Sequence, residues 1–453
     1  MKGKELIKKA FNMEVVDQTP WVPFVGVHAA YLLGLDSSEY LKSKALIVKG
    51  VSNAIDKYGP DGIPIVFDLQ LEAEVLGCEL LWAKENPPSV KSHPLANGIA
   101  LNELKVPESN QGRIGVVMEA TRELRKLHPD IALYGLITGP FTLALHLLGT
   151  DIFMQMFMDQ DNVHKIMRFC TDVSKAMSSY YIESGCDVIA VVDPMTSQIG
   201  PDQFNSFVKE YVTEIFTFIK EKKSLSSFFV CGHAQHNIEV MCECNPDNIS
   251  IDENIPLEYV KDICLERGIS FGGNLKLTVT LLMGDVNDCE IDAVYCMDTG
   301  GNKGFILSPG CDLPYSAKEE NMLAISRLIT DTYRKDITRT IKSKSFDFVP
   351  INLEEYGSGP KIKIDLITLD SSSCAPCQYM VNAVNRAAEP FKDLVEIREY
   401  KIKEKEGVDM MCKLGVKNIP TICIDGEVKF ISNIPPVESI REVILSRIEK
   451  KAK

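Results

Sequence analysis

Two sets of cysteines have the residue types and surroundings for chemistry. In SSSCAPCQYMVNAVNRAA, Cys374 and Cys377 bracket Ala-Pro where an amphipathic helical stretch begins. The free backbone N–H groups and the macrodipole at a helix amino terminus favour a thiolate, so Cys374 is placed to attack a disulfide, and Cys377, one turn later, to resolve it. The competing reading, half of a zinc site, needs a second closely spaced pair. Cys412 and Cys423, separated by a helical stretch, do not supply it. Dithiol redox chemistry is the expectation for this pair.

Cys231 and Cys311 form the second set, 80 residues apart. Each ends a short apolar run, FFVC and ILSPGC. Two thiolates facing one cavity suit zinc, which catalytic sites commonly hold through three protein ligands with a fourth position open. His233, two residues beyond Cys231, is the candidate third ligand. The alternative is that both cysteines are small buried hydrophobes, and both readings stay open at this level. Cys242-Glu-Cys244 lacks a zinc-finger spacing. The alternating Met154, Met156 and Met158 read as helix packing.

Eight apolar runs rich in Val, Ile and Phe must position these residues: 19–26, 62–69, 131–140, 186–194, 227–232, 248–253, 270–275 and 304–311. The segments between them are mostly long enough for a helix, so the strands should be parallel. Eight such units over residues 1–341 predict a (β/α)8 TIM barrel, whose chemistry sits at the carboxyl ends of its strands. Those ends carry His28, Asp68, Asp193, Cys231 with His233, Asp252, Asn274 and Cys311 on one expected rim. Residues 342–360, KSKSFDFVPINLEEYGSGP, have no periodicity and read as a linker. Residues 361–453 then run strand–helix–strand–helix–hairpin, a small second domain.

Charge sets the two parts apart. Up to Pro360 there are 33 basic against 49 acidic residues, and beyond it 16 against 14. The net charge of −14 argues against capture of a nucleic-acid backbone. No apolar run approaches a membrane span, the amino terminus is charged and amphipathic, and a cytoplasmic protein is the expectation.

Several blocks resemble the uroporphyrinogen decarboxylase superfamily, most closely its zinc-dependent methyltransferases acting between a corrinoid protein and a thiol such as coenzyme M. The blocks are Asp68 with LEAEVLGCEL (71–80), GLITGPFTLALHLLG (135–149), DPMTSQIGPDQF (193–204), VCG (230–232), ISID (249–252), GGNL (272–275) and ILSPGCDLP (306–314). The resemblance implies a methyl donor corrinoid on a separate protein, since this chain has no Asp-x-His-x-x-Gly signature, and a small thiol as acceptor. It also implies zinc on Cys231 and Cys311, with Asp68 and Asp193 orienting substrate or taking a proton, and with His28 and Asn274 on the binding rim. Phe229 stands where those methyltransferases carry a histidine, so His233 is a hypothesised substitute. The segment VPFVGVHAAYLLG (22–34) lacks the arginines by which the decarboxylases hold carboxylates. Residues 361–453 resemble a thioredoxin or glutaredoxin-like domain, with Ile419-Pro420-Thr421 matching the proline loop that pairs with substrate backbone. That resemblance implies a redox-active disulfide and an electron donor of the thioredoxin reductase kind. Two function classes follow: a corrinoid–thiol methyltransferase with a fused dithiol module, or a thiol–disulfide oxidoreductase whose barrel is a metal-free binding module. A decarboxylase-like lyase is the third and weakest reading.

Overall fold

The computed structural model describes residues 3–341, 359–372, 374–416 and 418–451. The chain divides into two compact units, Met1–Ser343 and Lys344–Lys453. The expected linker, apart from Gly359 and Pro360, lies outside the described residues.

The first unit is built on seven parallel strands hydrogen-bonded in sequence order: β1 (Gly62–Pro64), β2 (Ala132–Thr138), β3 (Val188–Val192), β4 (Leu225–Val230), β5 (Asn248–Ile251), β6 (Ser270–Leu275) and β7 (Phe305–Pro309). All seven are buried along nearly their whole length, as strands covered on both faces must be, and this explains why they read as apolar runs rather than alternating ones.

The eighth run, 19–26, is not a strand. Prolines at 20 and 23 leave Trp21 and Val22 as the only amide donors between them, too few for a ladder. It still closes the sheet. Val22 N–H donates to Leu307 O (3.0 Å) and Leu307 N–H to Pro20 O (2.9 Å), while on the other side Asp61 N–H donates to Trp21 O (2.9 Å). A three-residue stave therefore joins the two edge strands.

Helices cover the outside, and the longest, Gln160–Ser184, shows why they form where they do. Asp159 caps its first turn, Gly185 ends it at φ 111°, and Val163, Ile166, Met167, Cys170, Val173, Met177 and Tyr181 make one buried stripe. That spacing keeps every member on the sheet-facing side, each burial contributing about 1.5–3 kcal/mol. At Gly135 a Cβ would lie 2.5 Å from the Tyr181 ring, so the glycine sets how closely this helix approaches β2.

Within the barrel, Phe24, Phe67 and Phe229 pack ring to ring at 5.2–6.0 Å and join the core formed by Leu136, Val192 and Ile306. They form an aromatic plug, against which Cys231 and Cys311 rest.

The second unit holds a four-stranded sheet of β8 (Ile362–Thr368), β9 (Val395–Lys401), β10 (Thr421–Ile424) and β11 (Glu427–Ile431) in the order β9-β8-β10-β11, with only β8 and β9 parallel. Ala375–Ala388 crosses between β8 and β9, Lys405–Lys413 leads towards β10, and Val437–Lys451 packs Ile440 and Ile444 into the core. Among the described residues no single helix is long and apolar enough to cross a membrane.

Candidate active sites: a barrel mouth and a dithiol helix

Just past β4 and β7, the sulfurs of Cys231 and Cys311 meet at 3.1 Å. Two glycines and one carboxylate bring them together. Gly232 turns the chain at φ +84° directly after Cys231, and its N–H donates to Asp252 Oδ2 (2.7 Å). At Gly310, directly before Cys311, a Cβ would stand 2.3 Å from Glu253 Oε2 and 3.0 Å from the Asp252 Cα, so only glycine lets the end of β7 lie against the turn after β5. The Cys231 thiol is held far above its ordinary range by its hydrogen bond to Cys311 and by burial, with Asp252 and Glu253 adding repulsion.

Glu253 escaped the sequence reading, which stopped at the neighbouring Asp252. Its Oε1 accepts from Leu277 N–H (3.1 Å), and its buried Oε2 has no hydrogen-bond partner among the described residues. Burial, then the Asp252 charge, pushes its carboxyl up to about 8. Asp252 itself is raised to about 6 by burial, against the opposing hydrogen bonds from Gly232 and Asn254. A strand-end acidic pair was the only available signal.

The expected three-ligand zinc site does not form from this donor set. Among the described residues no group of three or more His, Cys, Asp or Glu side chains is arranged to hold a metal ion. Cys231 and Cys311 meet, but His233 does not complete a cage with them. Phe229, at the position of the missing histidine, is buried in the aromatic plug.

Other expected site residues are committed to the scaffold. Asp193 is fully buried. Its Oδ1 accepts from the Thr142 N–H (2.8 Å) and Oγ1 (2.5 Å), and its Oδ2 from Phe141 N–H (3.1 Å), which fixes the start of helix Pro140–Leu148. A Cβ at Gly139 would sit 2.3 Å from the Asp193 Cβ, which accounts for the Gly-Pro pair. Burial raises Asp193 to about 6, its hydrogen bonds from Thr142 and Phe141 opposing the rise. Asp68 accepts from Gln70 N–H (2.9 Å) and pairs with Arg113 at 2.5 Å, while Arg113 Nε reaches Glu74 at 2.5 Å. Nothing in the local sequence links Arg113 to Asp68, which is why sequence reasoning missed this buried pair.

His28 is held by two tyrosines. It is fully buried, with Nδ1 bonded to Tyr315 O (2.9 Å) and Nε2 to Tyr58 OH (2.8 Å), and burial lowers its pKa to about 4, the bond to Tyr315 opposing. Asn274 Nδ2 donates to Asp252 O (3.3 Å) and Ile255 O (2.9 Å), and so supports the turn that carries Asp252 and Glu253. Of the three alternating methionines only Met156 is buried. Met154 and Met158, with Phe157, are exposed, against the packing expected of them.

In the second unit, Cys374 caps helix Ala375–Ala388 and is joined to Cys377 in a disulfide with Cα atoms 5.2 Å apart. Cys377 N–H donates to Cys374 Sγ (3.3 Å). Cys374 is partly exposed and Cys377 buried. The loop between β8 and this helix is held by Glu399, which accepts from Ser371 N–H (2.9 Å) and Oγ (2.7 Å), and by Asp370, paired with Lys401 (2.9 Å). The Ile419–Pro420 bond is cis, and since Thr421 pairs with Ile367, Pro420 lies at the end of the sheet from which Cys374 emerges.

Residues 2–331 match the family model for uroporphyrinogen decarboxylase, and residues 361–445 match a thioredoxin domain. Methylcobamide:CoM methyltransferase MtbA of Methanosarcina acetivorans is 26% identical over 326 residues, 70% of this chain and 95% of the relative. The uroporphyrinogen decarboxylase of Aliarcobacter butzleri is 28% identical over 236 residues, 48% of this chain and 66% of its own length. Among solved structures, a methyltransferase from Methanosarcina mazei has a TM-score of 0.66 at 26% identity, covering 72% of this chain and 97% of its own. The resemblances, and a barrel followed by a thioredoxin-like domain, are borne out.

Proposed function

The chain belongs to the uroporphyrinogen decarboxylase family and carries a thioredoxin domain at its carboxyl end, and from that premise we propose that its barrel transfers a methyl group from a methylated corrinoid protein to a small thiol. The observation carrying this reading is the convergence of Cys231 and Cys311 over the mouth of a barrel that aligns with 95% of MtbA. In the transfer the methyl carbon leaves the corrinoid's cobalt and bonds to sulfur, while the thiol gives up its proton. Glu253, whose buried Oε2 has no hydrogen-bond partner among the described residues, lies beside Gly310 on the turn that flanks the mouth and could take up that proton only when ionised. The aromatic plug beneath the sulfurs excludes water from one side, and Asp68 and Asp193 act as positioning residues by fixing Arg113 and helix Pro140–Leu148. No step is assigned to zinc, which the donor set does not fit.

The thioredoxin domain, in this reading, carries out dithiol–disulfide exchange, with Cys374 attacking, Cys377 resolving and Pro420 bordering the substrate chain. A thioredoxin reductase-like protein would return the electrons. The second reading, an oxidoreductase whose barrel is a binding module, is favoured by Phe229, which fills the barrel where a metal ligand was expected. The decarboxylase reading loses support because the Arg113 guanidinium is already engaged by Asp68 and Glu74.

Methylcobalamin and 2-mercaptoethanesulfonate, followed under anaerobic reducing conditions by the visible spectrum of the corrinoid, separate the readings. Demethylation with methylated thiol formed, lost in Cys311→Ala, supports methyl transfer. No turnover by the parent, with disulfide reductase activity intact, leaves oxidoreduction.

A further inference from the structure

Two thiol groups from strand ends three places apart around a barrel have no reason of packing alone to share a 3.1 Å contact. The buried pair Cys242 and Cys264 in this same unit stands at 4.0 Å. At the mouth the approach is closer, and it is built. Gly232, Gly310 and the Asp252 carboxylate shape the two turns, and side chains at either glycine position would push the chains apart or strain them. A disulfide needs sulfurs at about 2.0 Å, which from 3.1 Å is a movement of about 1 Å within two turns outside the strand ladders. Both cysteines are half-buried, packed on one side against the barrel core.

We infer that Cys231 and Cys311 are a second redox dithiol of this chain, closing reversibly to a disulfide across the barrel mouth. The step balances through a disulfide co-reactant. One mouth thiolate attacks a sulfur of R–S–S–R and releases R–SH, and the second thiolate then displaces the remaining R–S as a thiol. One S–S bond and two S–H bonds break, and the same numbers form. The two mouth sulfurs are oxidised and the two R sulfurs reduced, which also take up the two protons. The co-reactant is any accessible disulfide, either a free small one or the Cys374–Cys377 bond of a molecule of this same protein. The inference stands on the sulfur geometry and does not depend on methyl transfer.

The test uses the full chain, poised across a series of glutathione redox buffers, acid-quenched, alkylated and digested for mass spectrometry. The expected result is a linked pair of peptides containing Cys231 and Cys311 that appears and disappears with a single two-electron midpoint. In Cys231→Ser, Cys311 should instead accumulate as the glutathione mixed disulfide. Free thiols at both positions in buffers that keep Cys374–Cys377 oxidised would overturn the inference. So would one bound zinc per chain that withstands the same buffers and blocks linkage, a result that leaves methyl transfer standing. The source of oxidant is read from the double variant Cys374→Ser/Cys377→Ser. Closure in that variant assigns it to glutathione disulfide, and closure only in the parent assigns it to the protein's own disulfide.

Discussion

The two cysteine pairs are brought together by opposite means. Cys374 and Cys377 are held by one helical turn, with Cys374 as the cap and Cys377 on the same helix, so their geometry survives wherever that helix forms. Cys231 and Cys311 depend on three strands, two glycines and an acidic turn. A local pair is robust and exposes one sulfur. A long-range pair can be opened by any change that shifts a strand end, and this makes it the more tunable of the two.

The largest break in this comparison should come from Cys311→Ala. It is expected to lower methyl transfer at least about 100-fold, while Cys374→Ser/Cys377→Ser, assayed with added reductant, should stay within about twofold. Equal losses in both would show that the mouth has no separate role. Phe229→His should come next. It places a nitrogen donor two residues before Cys231, on the same side of β4, and should raise zinc from a small fraction to near one per chain by elemental mass spectrometry, completing three N/S ligands. Unchanged zinc would mean the aromatic plug, not the missing ligand, keeps metal out.

Gly310→Ala should destabilise the barrel by about 1–3 kcal/mol, the usual cost of overpacking, and slow disulfide formation at the mouth. In the second unit, Gly426→Ala, in the hairpin turn between β10 and β11 where the glycine sits at φ 78°, should leave Cys374–Cys377 exchange unaffected.

The smallest effect is on pH. With Glu253 raised from 4.5 to about 8 in the folded chain, the native state binds its proton more tightly than the unfolded state. Its contribution is complete below about pH 4.5 and is lost as pH rises through 8. Glu253→Gln cannot ionise, so its Tm measured by calorimetry should fall less steeply than the parent's between pH 5 and 9, the gap reaching about 3–6 °C. Parallel curves would remove Glu253 from the account of the mouth.

Legibility followed the same division. The dithiol helix could be read from CAPC and its amphipathic continuation, because everything that shapes it lies within one segment. The barrel strands could be read because each is a buried apolar run. The first stave was misread as a strand, since Val22 and Phe24 have strand character while Pro20 and Pro23 deny the ladder its donors. The rim residues were read as a set, but their partners come from distant segments. His28 is occupied by Tyr58 and Tyr315, Asp193 by Thr142, and Asp68 by Arg113. None of these pairings has a spacing that a sequence reveals. Glu253 was missed for a similar reason, since its importance comes from Gly310.

The stave at Pro20–Val22 has a mechanical consequence. A cylinder whose other joints are strand ladders, but whose last joint rests on the few backbone hydrogen bonds of residues 20–22, has a preferred seam for unzipping. Amide hydrogens at Asp61 and Leu307 should exchange ahead of those in β3 and β4. Phe24 follows the seam by two residues and stacks on Phe229 at 5.2 Å. Each opening would therefore loosen the floor on which the mouth sulfurs stand, linking the breathing of the barrel wall to the spacing of its thiols.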